Sequence, residues 1–426
     1  MALNRIRTWL AASLLVTLLS TPGFATDPVE SDMQLFAPAE TGGFGGGVRA
    51  NEGFFALVDF IQWTISKPQT SEIGAPGLTR NAYLDTNNFY VESNSLNTNF
   101  IDAEATLGER FQIGTIDDGE GFMLSGFYLH PQTEKFTFTG AQVVFSAPPI
   151  PGETNNSPEG VPNLLQGYID PALNIRDLPT VFDTLKVTNS ASAYRIDLDY
   201  IHRMEPTDHC GTFEWYFGGS YLNFTDEFNC SSPDVAMHLV GPSTLEYTSQ
   251  GGILNDSYWN TRAVNNIFGP ELKLRWFRTY EHWTWDATAG FMAGFNRQDI
   301  TQSGEFAEQA NNPHSIYLHG MVNGPTAGGS LSSPLYLQPT SFQNSAYLNA
   351  FSGVADFNGN ISYAITRAVS VRVGYTFMWV GNVARPVDMI DYQIGTAPGQ
   401  KMGIVTANNK QDVFIQGINL GVELNR

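Results

Sequence analysis

Cysteine and basic residues are scarce in this sequence. Its 426 residues include two cysteines, Cys210 and Cys230, and 22 Lys and Arg stand against 42 Asp and Glu. The acidic balance argues against binding to nucleic acid, or to anionic lipid headgroups, through a basic patch. Long apolar runs are also missing: after the first 25 residues, no stretch reaches the roughly 18 uncharged apolar residues that indicate a transmembrane helix.

The first 25 residues have the pattern of a secretory signal peptide. Arg5 and Arg7 precede a mostly apolar stretch at 10–19, and Gly23 and Ala25 are the small residues of a cleavage site. The alternative, an N-terminal membrane anchor, would need about 20 apolar residues. We therefore expect export and cleavage before Thr26, which removes both arginines and changes the formal charge from −20 to −22.

Apolar and aromatic residues are abundant, at 42% and 13%, and there are 41 glycines. An exported chain without a spanning helix must bury such residues in a soluble core or expose them to lipid at alternate strand positions. Residues 26–50, with the Gly-rich stretch 42–47, are interpreted as a flexible periplasmic lead-in. Residues 51–426 are interpreted as one barrel domain.

Alternation with a period of two is clearest at 369–380. One parity holds only aliphatic and aromatic residues, whereas the other includes Ser370, Arg372 and Thr376. A period of two places the two sets on opposite faces of a strand. The pattern recurs and predicts about ten strands (range 8–14), at 53–66, 98–112, 120–139, 190–204, 211–225, 258–278, 282–298, 348–365, 369–383 and 411–425. Pro131 is expected at a bulge or at a strand end.

The predicted connections alternate in length. Short turns fall near 113–119, 205–210, 279–281 and 366–368, and long loops at 67–97, 140–189, 226–257, 299–347 and 384–410. Long loops on one side favour an all-β, antiparallel up-and-down barrel of a bacterial cell outer membrane, with these loops on the extracellular side. A secreted soluble β-sandwich or barrel is the alternative. Three tryptophans crowd one turn, as residues of an interfacial girdle do, and this favours the membrane.

The polar strand faces define a predicted lumen. An Arg or Lys that faced lipid near the midplane would cost about 2–4 kcal/mol, so the charged positions are expected to face inward. The predicted lumen-lining residues are Asp102, Glu104, Arg195, Asp197, Asp199, Glu271, Lys273, Arg275, Asp356, Arg372 and Glu423. The predicted lipid-facing or girdle residues are Tyr194, Tyr200, Trp276, Trp283, Trp285, Tyr375, Phe377 and Trp379.

Several stretches resemble a planctomycete family of outer-membrane β-barrel porins. They include NEGFF (51–55), WTISKP (63–68), GGSYL (218–222), NIFGP (266–270), VRVGYTFMW (371–379), NVARP (382–386) and QGINLGV (416–422). The resemblance spans most of the mature chain in a consistent order. It implies an outer-membrane barrel, inserted by the barrel-assembly machinery and surrounded by outer-membrane lipid, and it supplies no solute. Barrels of this kind usually end in an aromatic residue, whereas this chain ends Leu424-Asn425-Arg426.

Motifs for catalysis and for metal binding are weak. The sequence has no His-Glu-x-x-His, no Cys-x-x-Cys and no Gly-x-Ser-x-Gly pattern. His314 and His319 share a loop but have no third ligand at a suitable spacing. We predict no catalytic residue, no metal site and no cofactor.

The number of strands limits the function. About eight strands enclose a space that side chains fill, whereas 16–18 leave an open channel. The leading hypothesis is a porin or channel for small hydrophilic solutes or ions, with a cation preference because of the acidic charge. The alternatives are a non-conducting structural or adhesive barrel with a salt-bridged interior, and an outer-membrane hydrolase with an active site at the rim.

The two cysteines are predicted not to form a disulfide. Cys210 is on a short turn, and Cys230 is beyond the far end of the strand that follows. About 14 extended residues span roughly 45 Å, against a Cα separation of at most about 7 Å in a disulfide.

Overall fold

The computed structural model describes residues 53–74, 81–84, 89–92, 96–103, 105–147, 168–170, 175–205, 211–235, 237–239, 245–247, 257–306, 340–366, 368–392 and 402–425. The predicted signal peptide and lead-in lie outside these ranges, as do Glu104, Cys210, His314 and His319. Among the described residues, no helix is long and apolar enough to cross a membrane.

Ten long antiparallel strands form a closed barrel, which confirms the predicted fold class. They are β1 (Gly53–Ile65), β2 (Ala105–Asp117), β3 (Glu120–Ala147), β4 (Ile175–Arg203), β5 (Thr212–Val235), β6 (Ser257–Tyr280), β7 (Trp283–Phe306), β8 (Thr340–Ala364), β9 (Val369–Val383) and β10 (Gln411–Asn425). Each strand pairs with its neighbours along the chain, and β1 pairs with both β2 and β10. Closure pairs both edges of the sheet, so that backbone groups are satisfied without water.

Short and long connections alternate between these strands. The strand ends that are separated by short connections, at 118–119, 204–211, 281–282 and 365–368, lie at one end of the barrel, here called the turn end. The strand ends that are separated by long connections lie at the other end, the loop end. A two-residue turn joins β2 to β3 through Asp118 and Gly119, whose φ values of 49° and 83° suit a type I′ turn.

Several strand boundaries differ from the prediction. β3 and β4 reach 28 and 29 residues, and they extend into a segment that was predicted as a long loop. The prediction that 98–112 is a strand is wrong at its start, because Thr98–Phe100 is a turn of 3-10 helix and β2 begins at Ala105. Pro131 lies where the β3–β4 register shifts between Leu129 and Gln132, which confirms the predicted bulge.

The outward face changes character along the barrel. On β7 the outward residues run from Trp283 to Phe295 without a charge, and Arg297, Asp299 and Thr301 follow. Twelve residue steps cover about 40 Å along a strand, or about 28 Å in height at a tilt of about 45°. This height is close to the apolar band of an outer-membrane barrel, about 25 Å. The band on β7 and its equivalents on the other strands are called the apolar belt.

The interior changes in the opposite sense. On the loop side of the apolar belt, the barrel encloses an apolar cluster that includes Phe182, Phe228 and Trp259. At the level of the apolar belt, the interior contains most of the buried charged side chains. We call these two parts the loop half and the belt half.

Candidate channel lumen

Arg195 is the centre of a buried charged network in the belt half. It projects inward from β4, and 3% of its side chain is exposed. Its guanidinium meets Asp197 at 2.7 Å, Asp356 at 3.1 Å and Glu271. Three carboxylates from three strands therefore converge on one cation.

Lys273 and Arg275 continue this network on β6. The Nζ atom of Lys273 lies 3.1 Å from Asp199 Oδ2. Arg275 donates to Glu214 at 3.2 Å, and Glu214 also pairs with Arg203 at 2.6 Å. Residues two apart on a strand share one face, so alternation delivers all of these groups to the interior.

A second charged group lies across the adjacent strands β9, β10, β1 and β2. Arg110 Nε donates to Asp59 Oδ2 at 2.6 Å, and Arg372 lies 3.6 Å from the same oxygen. Gly421 on β10 is in register with both Asp59 and Arg372. A Cβ atom at this glycine would collide with the Asp59 carboxylate. Glycine is therefore required for the two charges to approach across β10.

Carboxylates outnumber cations in the belt half. Among the described inward-facing residues there, the carboxylates are Asp59, Asp197, Asp199, Glu214, Glu271, Asp286, Asp356 and Glu423. The cations are Arg110, Arg195, Arg203, Lys273, Arg275 and Arg372. Buried charges are tolerated when they are paired and hydrogen-bonded, which is the arrangement found here.

A cavity of about 90 Å³ lies inside the charged network. Asn358, Asn360 and Arg372 line it, and the buried atoms Asn358 Oδ1, Asn360 Oδ1 and Arg372 Nε have no protein partner. One water molecule needs about 10–15 Å³ of such space, so several can fit. The cavity is therefore suited to hydrate the network.

An apolar layer crosses the lumen on the loop side of this network. Its members include Trp63, Phe127, Ile267, Met292 and Val354, all of them buried. The rings of Trp63 and Phe127 are 5.0 Å apart in an edge-to-face arrangement. An apolar constriction opposes the passage of ions, because they would lose their hydration there.

Residues 384–392, which follow β9, fold into the barrel beyond the apolar layer and are called the plug segment. Arg385 is 1% exposed and donates to Asp226 Oδ2 at 2.6 Å and to the backbone oxygen of Ser66 at 2.7 Å. Val387 and Met389 are buried beside it. The plug segment thus adds one buried ion pair and several apolar contacts to the interior.

Side-chain amides fix the start of the plug segment. Asn265 donates to the backbone oxygen of Ala384 at 2.9 Å and accepts from its backbone nitrogen at 2.8 Å. Asn296 and Gln298 donate to the backbone oxygen of Asn382 at 3.2 and 3.0 Å. These amides satisfy backbone groups that leave the β-ladder at the end of β9.

Most of the predicted lumen-lining residues meet in the charged network. The inward-facing ones are Arg195, Asp197, Asp199, Glu271, Lys273, Arg275, Asp356, Arg372 and Glu423. Asp102 was predicted on a strand face, and this is wrong: it is exposed in the segment before β2, beside a small cavity that Lys67 and Arg385 also line. Glu104 lies outside the described residues.

The predicted lipid-facing or girdle residues all project outward. Trp283, Trp285, Tyr375 and Phe377 are exposed. The remaining four, Tyr194, Tyr200, Trp276 and Trp379, are partly exposed. That lipid contacts these side chains stays a prediction.

The sequence does not single out four further members of the interior: Asp59, Arg110, Glu214 and Arg385. β1 is largely apolar on both faces, so alternation does not assign Asp59 to the interior. The signal that could have identified Asp59 is that it is the one charged residue in an apolar strand. Arg385 lies in a segment whose composition is that of a loop. In the part of the chain that is described, no group of three or more His, Cys, Asp or Glu residues suits a metal ion.

A closed antiparallel barrel with paired charges inside and a largely apolar outward belt is a membrane β-barrel of the porin type. The chain matches the family described as Putative beta barrel porin-7 (BBP7) over residues 91–425, and it belongs to this family. This confirms the predicted porin family and an outer-membrane barrel. The planctomycete origin and the cleavage of residues 1–25 stay predictions.

Three solved structures are similar to this chain at low identity. The outer membrane protease OmpT of Escherichia coli is 7% identical with a TM-score of 0.37, covering 88% of this chain and 98% of its own. A FadL homologue of Pseudomonas aeruginosa is 6% identical with a TM-score of 0.22, covering 88% and 90%. An anion-selective porin from Comamonas acidovorans is 9% identical with a TM-score of 0.17, covering 87% and 98%. Likeness at these scores has no bearing on function. No curated protein matches the chain.

Proposed function

We propose that this chain is an outer-membrane channel that is closed in the conformation described above and prefers small cations when it opens. The observation that carries the proposal is the plug segment. This connecting segment packs into the loop side of the lumen, where Val387 and Ile390 join a cluster of inward strand residues such as Phe228 and Trp259. Such a segment can move without breaking the ladder of the barrel.

The charge of the lumen supports the cation preference. Eight carboxylates face six cations among the described inward residues of the belt half. A lumen with excess carboxylate attracts cations and repels anions. The acidic composition of the whole chain acts in the same direction.

Planar-bilayer recordings of refolded protein test the proposal. We expect the wild type to be closed for most of the recording. A variant in which a short Gly-Ser turn replaces residues 384–410 should conduct, with a reversal potential that indicates cations. The matched control replaces 307–339, another long connection at the same end, and should stay closed. An open variant that prefers anions would contradict the charge argument.

A non-conducting structural barrel is the second candidate, and the apolar layer favours it. The layer closes the lumen with buried side chains from the strands themselves, including Val354 and Met292. If neither the wild type nor the variant without the plug segment conducts, the result would support this candidate and contradict the proposal of a channel. A hydrolase with an active site at the rim has no comparable support, and porins are not enzymes.

A further inference from the structure

A row of polar side chains crosses the outward face directly beyond the apolar belt. The row follows the strand register and consists of Tyr194 on β4, Asn223 on β5, Asn266 on β6, Arg297 on β7 and Asn349 on β8. The adjacent row on the belt side consists of Ile196, Tyr221, Phe268, Phe295 and Phe351. On these five neighbouring strands, the next outward position, two residues along, therefore changes a mostly aromatic surface into a mostly polar one.

The polar row is ordered by its own hydrogen bonds. Asn266 accepts from the Tyr221 hydroxyl at 2.7 Å and from Asn223 Nδ2 at 2.9 Å. Its own Nδ2 donates to Asp299 at 3.4 Å, and Arg297 donates to the same carboxylate at 3.0 Å. Side chains that are fixed in advance lose little conformational entropy when they bind a ligand.

The position of this row in the barrel selects a lipid headgroup as its partner. β7 continues about ten residues past Arg297, so the row is not at the rim of the barrel. A mid-strand change from aromatic to polar residues is expected where hydrocarbon gives way to headgroups. Tyr347, 67% exposed, lies at this level with the guanidinium of Arg297 5.6 Å from its ring centre.

The chemistry of the row selects an uncharged headgroup. Arg297 is paired with Asp299, so the row has no surplus cation for a phosphate. Asn266 keeps one N–H beyond its internal hydrogen bonds, and the exposed amide of Asn349 has donors and an acceptor. These groups complement the hydroxyl groups of a sugar. The exposed ring of Tyr347 offers an apolar face to the C–H groups of the same sugar.

We propose that this row binds the sugar headgroup of a glycolipid in the outer leaflet. The inference rests on the proposed function only in requiring that the barrel lies in a membrane with its apolar belt in the hydrocarbon.

Native mass spectrometry of the full-length barrel, released from lipid nanodiscs, tests this inference. The discs contain phosphatidylcholine with either monogalactosyl diacylglycerol or phosphatidylglycerol. We expect the wild type to retain the galactolipid in preference to both phospholipids. The double variant Asn266→Ala with Arg297→Ala should lower that retention about tenfold, because two or three hydrogen bonds are lost.

The matched control is Asn260→Ala with Arg262→Ala. These residues have the same chemistry and face outward on β6, beyond the row, where Arg262 pairs with Glu227 at 2.8 Å. The control should retain the galactolipid as the wild type does. Equal retention by both double variants, or a preference for phosphatidylglycerol, would overturn the inference. Failure of every form to enter the nanodiscs would instead contradict the proposed membrane location, so the two failures are distinguishable.

Discussion

The belt half and the loop half of this barrel are built in opposite senses from the same ten strands. In the belt half, Arg195 and its carboxylates are inside, and residues such as Phe291 are outside. In the loop half, Phe228 and Trp259 are inside, and Thr301 and Asn260 are outside. A single strand such as β7 takes part in both.

The difference teaches that the surroundings of the barrel decide which parity of a strand is polar. Lipid accepts the apolar parity and forces charges inward, where they pair. Where water surrounds the barrel, the polar side chains of a strand face outward and the apolar side chains face inward and form a core. The loop half is therefore organised like a soluble protein, and the belt half is not.

The largest expected effect comes from removing the central cation of the belt half. Arg195→Ala leaves three carboxylates without their common partner, and an unpaired buried charge costs about 3–5 kcal/mol. We expect the free energy of unfolding to fall by that amount in urea titrations of the barrel in lipid vesicles. The matched change in the loop half is Arg262→Ala, which removes a half-exposed ion pair and should cost at most about 1 kcal/mol. Equal losses would mean that the buried network of the belt half contributes no more to stability than an exposed ion pair of the loop half.

A charge placed on the outward face sharpens the comparison further. Ala289→Arg puts a guanidinium at the middle of the apolar belt on β7 and should cost about 2–4 kcal/mol in vesicles. Thr301→Arg, on the same face of the same strand in the loop half, should change stability by no more than about 0.5 kcal/mol. The same urea titration measures both. A harmless arginine at 289 would show that water, not lipid, surrounds the belt.

Alternation predicted most of the belt half, because lipid outside and charge inside produce a strict period of two. It is the reason that Arg372, Glu271 and Lys273 could be assigned to one interior from the sequence. The strand β1 shows the limit: its inward residues include Phe55, Ile61 and Trp63, so both faces are apolar and Asp59 was not identified.

The loop half was harder to predict for a physical reason. Many of its outward residues are Thr, Ser and Asn, and turns and loops favour the same small polar residues. The extensions of β3 and β4 were therefore assigned to a loop. The plug segment is placed by tertiary contacts of Arg385 with Asp226 and of Ala384 with Asn265, and such contacts leave no local pattern.

A smaller effect is expected at the close approach of Asp59 and Arg372. Gly421→Ala forces a Cβ atom against the Asp59 carboxylate and should cost about 1–3 kcal/mol, as overpacking does. Gly219→Ala is the control, because a Cβ atom there has nothing within 4 Å. Thermal unfolding monitored by circular dichroism compares the two variants. An unchanged unfolding midpoint for Gly421→Ala would argue against the close packing of Gly421 on Asp59.

The smallest effect concerns pH and the plug segment. Burial raises the pKa of Asp388, against opposing contributions from Ser71, Arg385 and Gln411. A carboxyl group whose pKa is raised on folding favours the folded state at low pH, and this contribution is lost as the pH rises through the raised pKa. The stability of the wild type relative to Asp388→Asn should therefore decline as the pH is raised from about 4 to 7. Urea titrations at a series of pH values measure the difference in the free energy of unfolding between the two proteins. A wild type that becomes more stable relative to Asp388→Asn as the pH rises would contradict this prediction.

Lipid contact by the outward face of the belt half is the central claim, and quenching by brominated lipid tests it most directly. Two variants are needed, each with one tryptophan and phenylalanine in place of the others. Trp285 is half exposed in the apolar belt, whereas Trp259 is buried in the loop half. We predict strong quenching of Trp285 and little quenching of Trp259 in vesicles. Unquenched Trp285 in a chain that is folded and soluble without detergent would contradict the account.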